Sequence, residues 1–427
     1  MVADTVHAWH GNNRVLRPLT QQYDTALDLN DALTAILADI EPIAGSSLVP
    51  LAQAVAGYAA RAVDAPMNLP PFPASAMDGY ALRSRDLQGA PPYELVLEGT
   101  SAAGHPHTSP TPPGGCIRIF TGAAVPDDLD TVVIQENCSV DGARVTLHNA
   151  AEGGANVRPP GHDVRAGGRL IEAGARISEF DAGWLAASGI DQVAVRPQPT
   201  VGVFSTGDEL LDAGSLPGPG QIFDANRLTL ALLLRGLPVQ IRDYGIVADE
   251  APSIRRVLTQ ADRECHMILT SGGVSVGDAD WVKAVVGELG ALHLWKLNLK
   301  PGKPLAYGRL PQSAFFGLPG NPVSAIVTAL MLVRPALERL CGGTPSQPLT
   351  VPALLRGELH HQPGREEFQR GTLTLEDGTL HVAVTGDQSS NRLASFARAN
   401  CLIRIPKDSG DIAPGATVFT LPFRGLF

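Results

Sequence analysis

Residues 270–281, TSGGVSVGDADW, combine groups that bind anions with groups that repel them. The segment follows the apolar run Met267–Leu269, and a glycine-rich turn after a strand can present its backbone N–H groups to an anion. The candidate donors are the N–H groups of Ser271, Gly272 and Gly273 and the hydroxyl groups of Ser271 and Ser275. This segment, named the glycine loop below, predicts a site for a phosphate-like anion.

Two carboxylates, Asp278 and Asp280, follow in the same glycine loop and would repel that anion. A second segment, STGDEL at residues 205–210, places Asp208 and Glu209 after a Thr-Gly turn and is named the acidic loop. Mg²⁺ is commonly held by one or two carboxylates together with phosphate oxygens. The carboxylates next to an anion site therefore predict a bound Mg²⁺ ion.

Two further loops carry basic groups and close backbone turns. The lysine loop, LKPGKP at 299–304, places Lys300 and Lys303 around a Pro-Gly turn, with Lys296 on the preceding strand. The proline loop, GLPGNPVSA at 317–325, has glycines that let the backbone approach a ligand and a proline suited to a first helical turn. Each loop alone also has an ordinary structural interpretation, as a cap, a helix entry or a solvated face. Their combination favours one shared site.

The elements that must position these loops lie in residues 200–341, where strands and helices alternate. This pattern predicts an open, mostly parallel, doubly wound sheet that binds ligands at the carboxyl ends of its strands. The expected strands are TVGVFS, VQIRDYGIV, HMILT, ALHLWKL and SAFFGL, and the expected helices are Arg227–Arg235, Pro252–Ala261, Trp281–Leu289 and Pro322–Leu340. All four loops are then expected at one edge of the sheet.

The rest of the chain predicts smaller domains, and the fold class is a multidomain α/β protein. Helices are expected at Tyr23–Ile40 and, in an alanine-rich stretch, at Leu51–Val63. Ser178, with Asp181 three residues on, predicts the N-terminal cap of a helix over 179–188. The expected divisions are an N-terminal extension (1–22), a split helical linker domain (23–65 and 160–197), an inserted β-rich domain (66–159), the α/β domain (198–342) and a C-terminal β-barrel or sandwich (346–427).

Composition excludes several classes of protein. A chain of 427 residues is too long for one core, and its formal net charge of −10 argues against a general nucleic-acid or anionic-membrane binder. The five cysteines form no C-x-x-C pair, which favours a reducing compartment over structural zinc or disulfides. No apolar run reaches the roughly 18–20 residues that span a bilayer. The sequence therefore predicts a cytoplasmic protein without a membrane or nucleic-acid partner.

The four loops resemble the signature of the molybdopterin molybdotransferases, the molybdenum insertases to which the C-terminal domain of gephyrin is related. Further segments share the resemblance: SAMDGYAL (75–82), RIFTGAAVP (118–126), GANVRPPGHDV (154–164), GREEFQRG (364–371) and GDQSSNRLASF (386–396). The resemblance covers about residues 22–427. It implies the same order of domains, with 198–342 as the molybdopterin-binding domain, and a homodimer whose active cleft is shared between subunits.

The reaction implied by the resemblance is insertion of molybdate into adenylylated molybdopterin, assisted by Mg²⁺, with release of AMP. The family pattern implies that Lys300, Lys303, Ser275 and the backbone near Pro319 bind the molybdate dianion. It implies that Asp280 and Glu209, with Asp278, bind the Mg²⁺ ion or a hydrolytic water. It also implies that Asp249 is a further acidic group of the site and that Lys296 lies next to the phosphates.

Other residues match family positions outside this domain. Asp78, Thr121 and Arg158 match positions expected to reach the cleft of the partner subunit, and Arg370 and Ser390 match barrel positions facing the pterin or the molybdate. From the residues alone, Asp78 is equally well a turn or cap residue, and Arg370 is more readily a surface strand residue.

Three alternatives stay open at this stage. The chain could carry out the adenylylation of molybdopterin, it could be a gephyrin-like scaffold, or it could use tungstate, because tungstate and molybdate are nearly identical in size and charge. Under the main interpretation, a separate molybdopterin adenylyltransferase supplies the substrate, and molybdoenzyme maturation factors are further candidate partners.

Overall fold

The computed structural model describes residues 26–273, 281–345 and 347–425 of the 427-residue chain. These residues form two units. One comprises 26–44 and 197–425, and the other comprises Gly45–Arg196. The helix Leu29–Asp39 thus belongs to the unit that contains the four loops. Among the described residues, no helix has the length and apolar character needed to cross a membrane.

A six-stranded sheet forms the centre of the first unit. Its strands, in spatial order, are Gln240–Val247, Thr200–Thr206, Met267–Ser271, Ala314–Leu318, Pro304–Arg309 and Ala291–Lys296. The first three neighbouring pairs are parallel and the last two are antiparallel. The predicted mostly parallel sheet is therefore confirmed.

Helices cover both faces of this sheet. Successive strand residues face opposite cores: Met267 and Leu269 lie in one apolar cluster, and Ile268 lies in the other. The helices of this unit are Leu29–Asp39, Asn226–Leu233, Ala251–Glu264, Trp281–Leu289, Pro322–Thr328, Arg334–Leu340 and Ala394–Ala397. The predicted helix Pro322–Leu340 is continuous but contains a π-helical turn at Ala329–Val333. Pro335 follows that turn and has no N–H group, so the regular hydrogen-bond ladder cannot pass through it.

The strand Pro304–Arg309 was not expected from the sequence. Prolines at 304 and 311 and a glycine at 308 favour a loop there. In the sheet, a Cβ atom at Gly308 would lie 2.3 Å from the carbonyl oxygen of Ala291, so glycine permits the close pairing of the two strands. Tertiary pairing overrides the local signal.

A closed sheet forms the C-terminal region. Its strands are Val351–Arg356, Glu366–Glu376, Thr379–Val384, Cys401–Ile405 and Thr417–Pro422. Glu366–Glu376 pairs with both Thr379–Val384 and Cys401–Ile405, which closes the ring. A short strand from the lysine loop, Leu299–Lys300, joins the ring beside Glu366–Glu376. The closed ring confirms the barrel rather than the sandwich.

The second unit, Gly45–Arg196, is mostly β-structure. Its six-stranded sheet contains Gly79–Leu82, Tyr93–Ser101, Gly115–Ile119, Thr131–Ile134, Cys138–Asp141 and Arg144–Leu147. Three two-stranded sheets pair Ser47–Pro50 with Gln192–Val195, Val63–Asp64 with Arg169–Ile171, and Ala74–Ser75 with Val157–Arg158.

The two predicted helices at either end of this unit have different outcomes. The prediction of a helix over Leu51–Val63 is wrong, because the helix ends at Ala54, and Tyr58 and Ala59 form β-bridges instead. Alanine side chains are small enough for close strand pairing as well as for helix packing. The alanine-rich pattern therefore does not distinguish a helix from a strand. The helix capped by Ser178 is confirmed as Glu179–Ala187, and Ser178 and Asp181 form a reciprocal capping box.

Candidate functional site

The register of the central sheet brings the four loops to one edge. Ser205 at the start of the acidic loop pairs with Ser271 of the glycine loop, and Ser271 pairs with Leu318 of the proline loop. On the far side, Lys296 pairs with Pro304 at the base of the lysine loop. The strand Ala291–Lys296 runs in the same direction as Ala314–Leu318, because each is antiparallel to the strand between them. The predicted convergence of the loops is therefore confirmed.

Asp208 and Glu209 of the acidic loop lie at this edge, together with Asp249 beyond the end of the neighbouring strand. Thr206 pairs with Val247, so Asp249 lies just beyond the neighbouring strand. Thr206 Oγ1 donates to Asp249 Oδ1 at 3.3 Å, and the N–H of Asp249 donates to Asp208 Oδ1 at 3.4 Å. The Glu209 carboxylate folds over Gly207, where an added Cβ atom would lie 2.6 Å from Glu209 Oε2.

The described part of the glycine loop requires glycine at two positions. Gly272 and Gly273 have φ values of +90° and +66°, and a Cβ atom at Gly272 would lie 2.6 Å from the carbonyl oxygen of Thr206. The N–H of Gly272 donates to the carbonyl oxygen of Leu318 at 3.2 Å, so strand pairing already engages one of the expected anion donors. Ser275, Asp278 and Asp280 lie outside the described residues.

Asn226 ties two of the loops together, and the sequence analysis missed it. Its Nδ2 donates to Ser271 Oγ and to the carbonyl oxygen of Gly320, both at 2.7 Å. Asp224 caps the same helix start, because its Oδ1 accepts from the backbone N–H groups of Asn226 and Arg227. The available signal was the run DAN immediately before a predicted helix at the ligand-binding edge.

The lysine and proline loops are anchored differently from each other. Lys300 forms an ion pair with Glu367 of the barrel, whereas the side chains of Lys296 and Lys303 are exposed. Gly302 has a φ of +119°, and a Cβ atom there would lie 2.7 Å from Thr328 Oγ1. Pro319 is buried, and its carbonyl oxygen accepts a long hydrogen bond of 3.5 Å from Ser271 Oγ.

The two barrel residues lie near the proline loop. The carbonyl oxygen of Ser390 accepts from the N–H of Val323, in the first turn of the helix that the proline loop enters. Arg370 is only 1% exposed, and its guanidinium donates to Ser395 Oγ at 2.9 Å and to the Ser389 carbonyl oxygen at 3.2 Å. Burial lowers the pKa of Arg370 to about 10. In this structure Arg370 therefore holds the segment that carries Ser390, and direct contact with a ligand stays a prediction.

Asp78 and Thr121 form a pair in the second unit. Asp78 Oδ1 accepts from both the N–H and the Oγ1 of Thr121 at 2.7 Å, and these bonds hold the pKa of Asp78 below its usual value. Arg158 lies exposed on a strand paired with Ala74–Ser75, and Ser75 accepts from the N–H of Gly122. The three predicted residues of this unit thus surround one short strand.

The predicted metal ligands are divided between the acidic loop and the glycine loop. Within residues 26–273, 281–345 and 347–425, no group of three or more His, Cys, Asp or Glu side chains could hold a metal ion. The acidic loop alone thus supplies an incomplete set, and the predicted ligands Asp278 and Asp280 fall outside these residues.

Three family models match the chain in order. They are the MoeA N-terminal region (domain I and II) over residues 27–189, a probable molybdopterin binding domain over 202–339, and the MoeA C-terminal region (domain IV) over 352–423. Together they span both units and the closed C-terminal sheet.

Curated relatives match over most of the chain. A molybdopterin molybdenumtransferase of Haemophilus influenzae is 36% identical over 403 residues, which are 94% of this chain and 99% of that protein. One from Nostoc is 33% identical over 84% of each chain. Gephyrin of Dictyostelium discoideum is also 33% identical, but the match covers only 55% of that longer protein.

A solved structure has the same fold over nearly the whole length. The molybdopterin biosynthesis MoeA protein of Pyrococcus horikoshii superimposes with a TM-score of 0.80 at 27% sequence identity, over 93% of this chain and 100% of that one.

Proposed function

The chain belongs to the molybdopterin molybdenumtransferase family of molybdenum cofactor biosynthesis, and from that premise we propose that it inserts molybdate into adenylylated molybdopterin and releases AMP. The observation that carries the proposal is the register that brings acidic, glycine-rich, basic and proline-rich loops to one sheet edge. A dianion, a phosphoanhydride and a cofactor metal need such a mixture of groups in one place.

The lysine loop and its neighbours supply the positive charge for this reaction. Lys300 and Lys303 would bind the molybdate dianion, and Lys296, at the base of the same hairpin, would stabilise charge on the phosphates. Ser275 would donate a further hydrogen bond to the oxyanion. The Ser271 side chain is held between Asn226 and the proline loop, so the start of the glycine loop is fixed in place before a ligand arrives.

The carboxylates of the acidic and glycine loops are suitable ligands for Mg²⁺. Oxygen ligands suit this ion, and Glu209 and Asp249 lie at the sheet edge proposed for the phosphates. Glu209, Asp278 and Asp280 would hold the ion, and Asp249 would keep the acidic loop in place through Thr206. When bound, Mg²⁺ offsets the negative charge of the phosphates.

The barrel would complete the substrate site. Ser390 lies against the helix that follows the proline loop, so it is near enough to that loop to contact the pterin or the molybdate. Arg370 would act mainly by fixing the segment that carries Ser390.

We also propose the homodimer and the domain boundaries expected from the sequence. Asp78, Thr121 and Arg158 would complete the cleft of the partner subunit. Exposed apolar side chains in and just before the helix Asn226–Leu233 support an interface between copies; they are Ile222, Phe223, Leu228 and Leu232. Light scattering after gel filtration tests the dimer, and a monomer at working concentration would contradict it.

The cellular partners follow from the same reaction. A separate molybdopterin adenylyltransferase would supply the substrate, molybdoenzyme maturation factors would receive the product, and the protein would act in the cytoplasm. Pull-down of the adenylyltransferase by the full-length chain tests the first of these partners.

The decisive experiment is molybdate-dependent AMP release from adenylylated molybdopterin by the purified protein. The proposal expects AMP release that needs Mg²⁺ and molybdate and that is lost in Asp280→Ala. Accumulation of adenylylated molybdopterin from molybdopterin and Mg-ATP, without molybdate, would instead support an adenylyltransferase. Replacing molybdate with tungstate in the same assay shows which oxyanion the enzyme prefers.

A further inference from the structure

Lys300 is paired with a buried carboxylate of the barrel. Its ammonium group lies 3.0 Å from Oε1 and 3.1 Å from Oε2 of Glu367. The side chain of Lys300 is 44% exposed, whereas that of Glu367 is only 2% exposed. The pairing has a backbone cause, because Lys300 lies directly opposite Glu367 in the parallel ladder between the lysine loop and the barrel.

The ring of His361 lies on the other side of Glu367. Nε2 of His361 lies 3.8 Å from Glu367 Oε2, and the His361 side chain is 1% exposed. Its two ring nitrogens lie 2.9 Å from the carbonyl oxygens of Ser409 and Arg365. Both ring nitrogens are thus engaged by backbone carbonyl oxygens, which fixes the ring beside Glu367.

The other neighbours of Glu367 allow the lysine to leave. A buried carboxylate that loses all of its polar partners is strongly destabilising. If Lys300 moves away, Glu367 keeps a 3.2 Å hydrogen bond from Gln369 Nε2 and the His361 ring 3.8 Å away. The Lys300–Glu367 pair can therefore open without leaving the buried carboxylate without a hydrogen-bond partner.

The ammonium group is also within reach of a solute. Lys300 lines an open depression of about 550 Å³ together with His361 and Asp411. The Asp411 carboxylate is engaged by the N–H of His361 at 2.9 Å and by His360 Nδ1 at 3.2 Å. Glu367 is thus the carboxylate that holds Lys300 in this structure.

We propose that Glu367 is the resting partner of Lys300 and competes with the oxyanion substrate for its ammonium group. The affinity for molybdate is then set by the exchange of Lys300 between Glu367 and the oxyanion. Glu367 acts through Lys300 and is a positioning residue. This inference rests on the proposed function, in which Lys300 binds the oxyanion.

The test is equilibrium dialysis of molybdate against the full-length protein, without turnover. Glu367→Gln is expected to lower the concentration for half-saturation by about two- to fivefold, the factor that a half-exposed ion pair contributes to an equilibrium. Lys300→Ala is expected to raise it. The matched control is Glu366→Gln on the same strand, because Glu366 pairs with Arg404 instead of the lysine. The control is expected to bind molybdate as the unchanged protein does.

A double variant separates competition from general electrostatics. If Glu367 acts through the lysine, Glu367→Gln has no tightening effect in a Lys300→Ala background. Tighter molybdate binding by Glu367→Gln that persists in the Lys300→Ala background would overturn the proposal, because the effect would then come only from the removal of a negative charge. Damage to the fold can only weaken binding, so tighter binding is a readout that a structural role does not produce. If Glu367→Gln does not fold, Glu367→Asp keeps the charge next to His361 and should tighten binding by a smaller factor.

The outcomes also separate this proposal from the proposed function. Unchanged or weaker binding by a folded Glu367 variant, with weaker binding by Lys300→Ala, overturns the competition and leaves the oxyanion site standing. No effect of Lys300→Ala overturns the competition and removes the lysine from that site. Molybdate-dependent AMP release by the unchanged protein tests the reaction independently of either result.

Discussion

Asn226→Asp is expected to harm catalysis more than Asn226→Ala, although aspartate is closer to asparagine in shape. The amide of Asn226 donates to Ser271 Oγ and to the Gly320 carbonyl oxygen, both at 2.7 Å. A carboxylate can still accept a hydrogen bond from the Ser271 hydroxyl. It cannot donate to the Gly320 carbonyl, and two acceptor oxygens would then face each other.

The magnitudes follow from these contacts. Each donated bond is worth about 1 kcal/mol net, so Asn226→Ala should lower the free energy of unfolding by about 2 kcal/mol. An anion held by Ser271 would lie about 6 Å from a carboxylate at position 226, which corresponds to a repulsion of about 3 kcal/mol at an effective dielectric constant of about 20. Solvent screening of this half-buried side chain reduces that figure, and we expect Asn226→Asp to weaken substrate binding by about tenfold to 100-fold.

The assay is AMP release at varied concentrations of adenylylated molybdopterin, with urea unfolding of each variant. The matched control is Asn400→Asp, which changes the same amide group at a turn in the barrel, where Nδ2 donates to the Leu373 carbonyl oxygen at 2.9 Å. The control should keep the KM of the unchanged protein. Equal KM values for Asn226→Asp and Asn226→Ala would refute the role assigned to the amide.

Three further variants test other parts of the site and fold. Gly272→Ala should reduce AMP release by about tenfold or more and lower the unfolding midpoint, because its Cβ atom would lie 2.6 Å from the Thr206 carbonyl oxygen at a φ of +90°; a normal midpoint with full activity would contradict this. Burial raises the pKa of the Cys116 thiol from 9.0 to about 12. The buried neutral thiol therefore contributes fully to the free energy of unfolding below pH 9, and this contribution is lost as the pH rises towards 12, because the unfolded chain loses the proton first. Unfolding midpoints across that range should fall less for Cys116→Ala than for the unchanged protein. Asp78→Asn should reduce AMP release with little change in unfolding, since its two hydrogen bonds from Thr121 are at the surface; a lost fold with no specific loss of activity would mark Asp78 as structural.

The sequence was sufficient for the parts of the site that depend on local pattern. Alternating strands and helices predict a sheet edge, and the glycines, lysines and carboxylates that follow its strands predict what gathers there. Gly272 is an example, since its need for a positive φ could be anticipated from the turn. The same reasoning failed at Leu51–Val63, where alanine suits both helical packing and close strands.

The sequence could not predict contacts that depend on register between distant segments. Asn226 meets Ser271 and Gly320 only after three separate elements have packed. Glu367 appears in the chain as one of two neighbouring glutamates. Only the ladder that places Lys300 opposite it, with the ring of His361 behind it, distinguishes it from Glu366.

The unexpected strand Pro304–Arg309 explains how the lysine loop holds its ammonium groups in fixed positions. With a plain crossover after Lys296, the lysines would lie on a long free segment. Instead, Lys296 pairs with Pro304, and the N–H of Leu297 donates to the Lys303 carbonyl oxygen at 2.7 Å, which closes a tight hairpin. The tip of that hairpin, Leu299–Lys300, joins the barrel ladder as well. The lysine loop is therefore fixed by two sheets at once, so a side-chain substitution that leaves this backbone pairing intact, such as Glu367→Gln, should alter oxyanion binding through the ion pair alone.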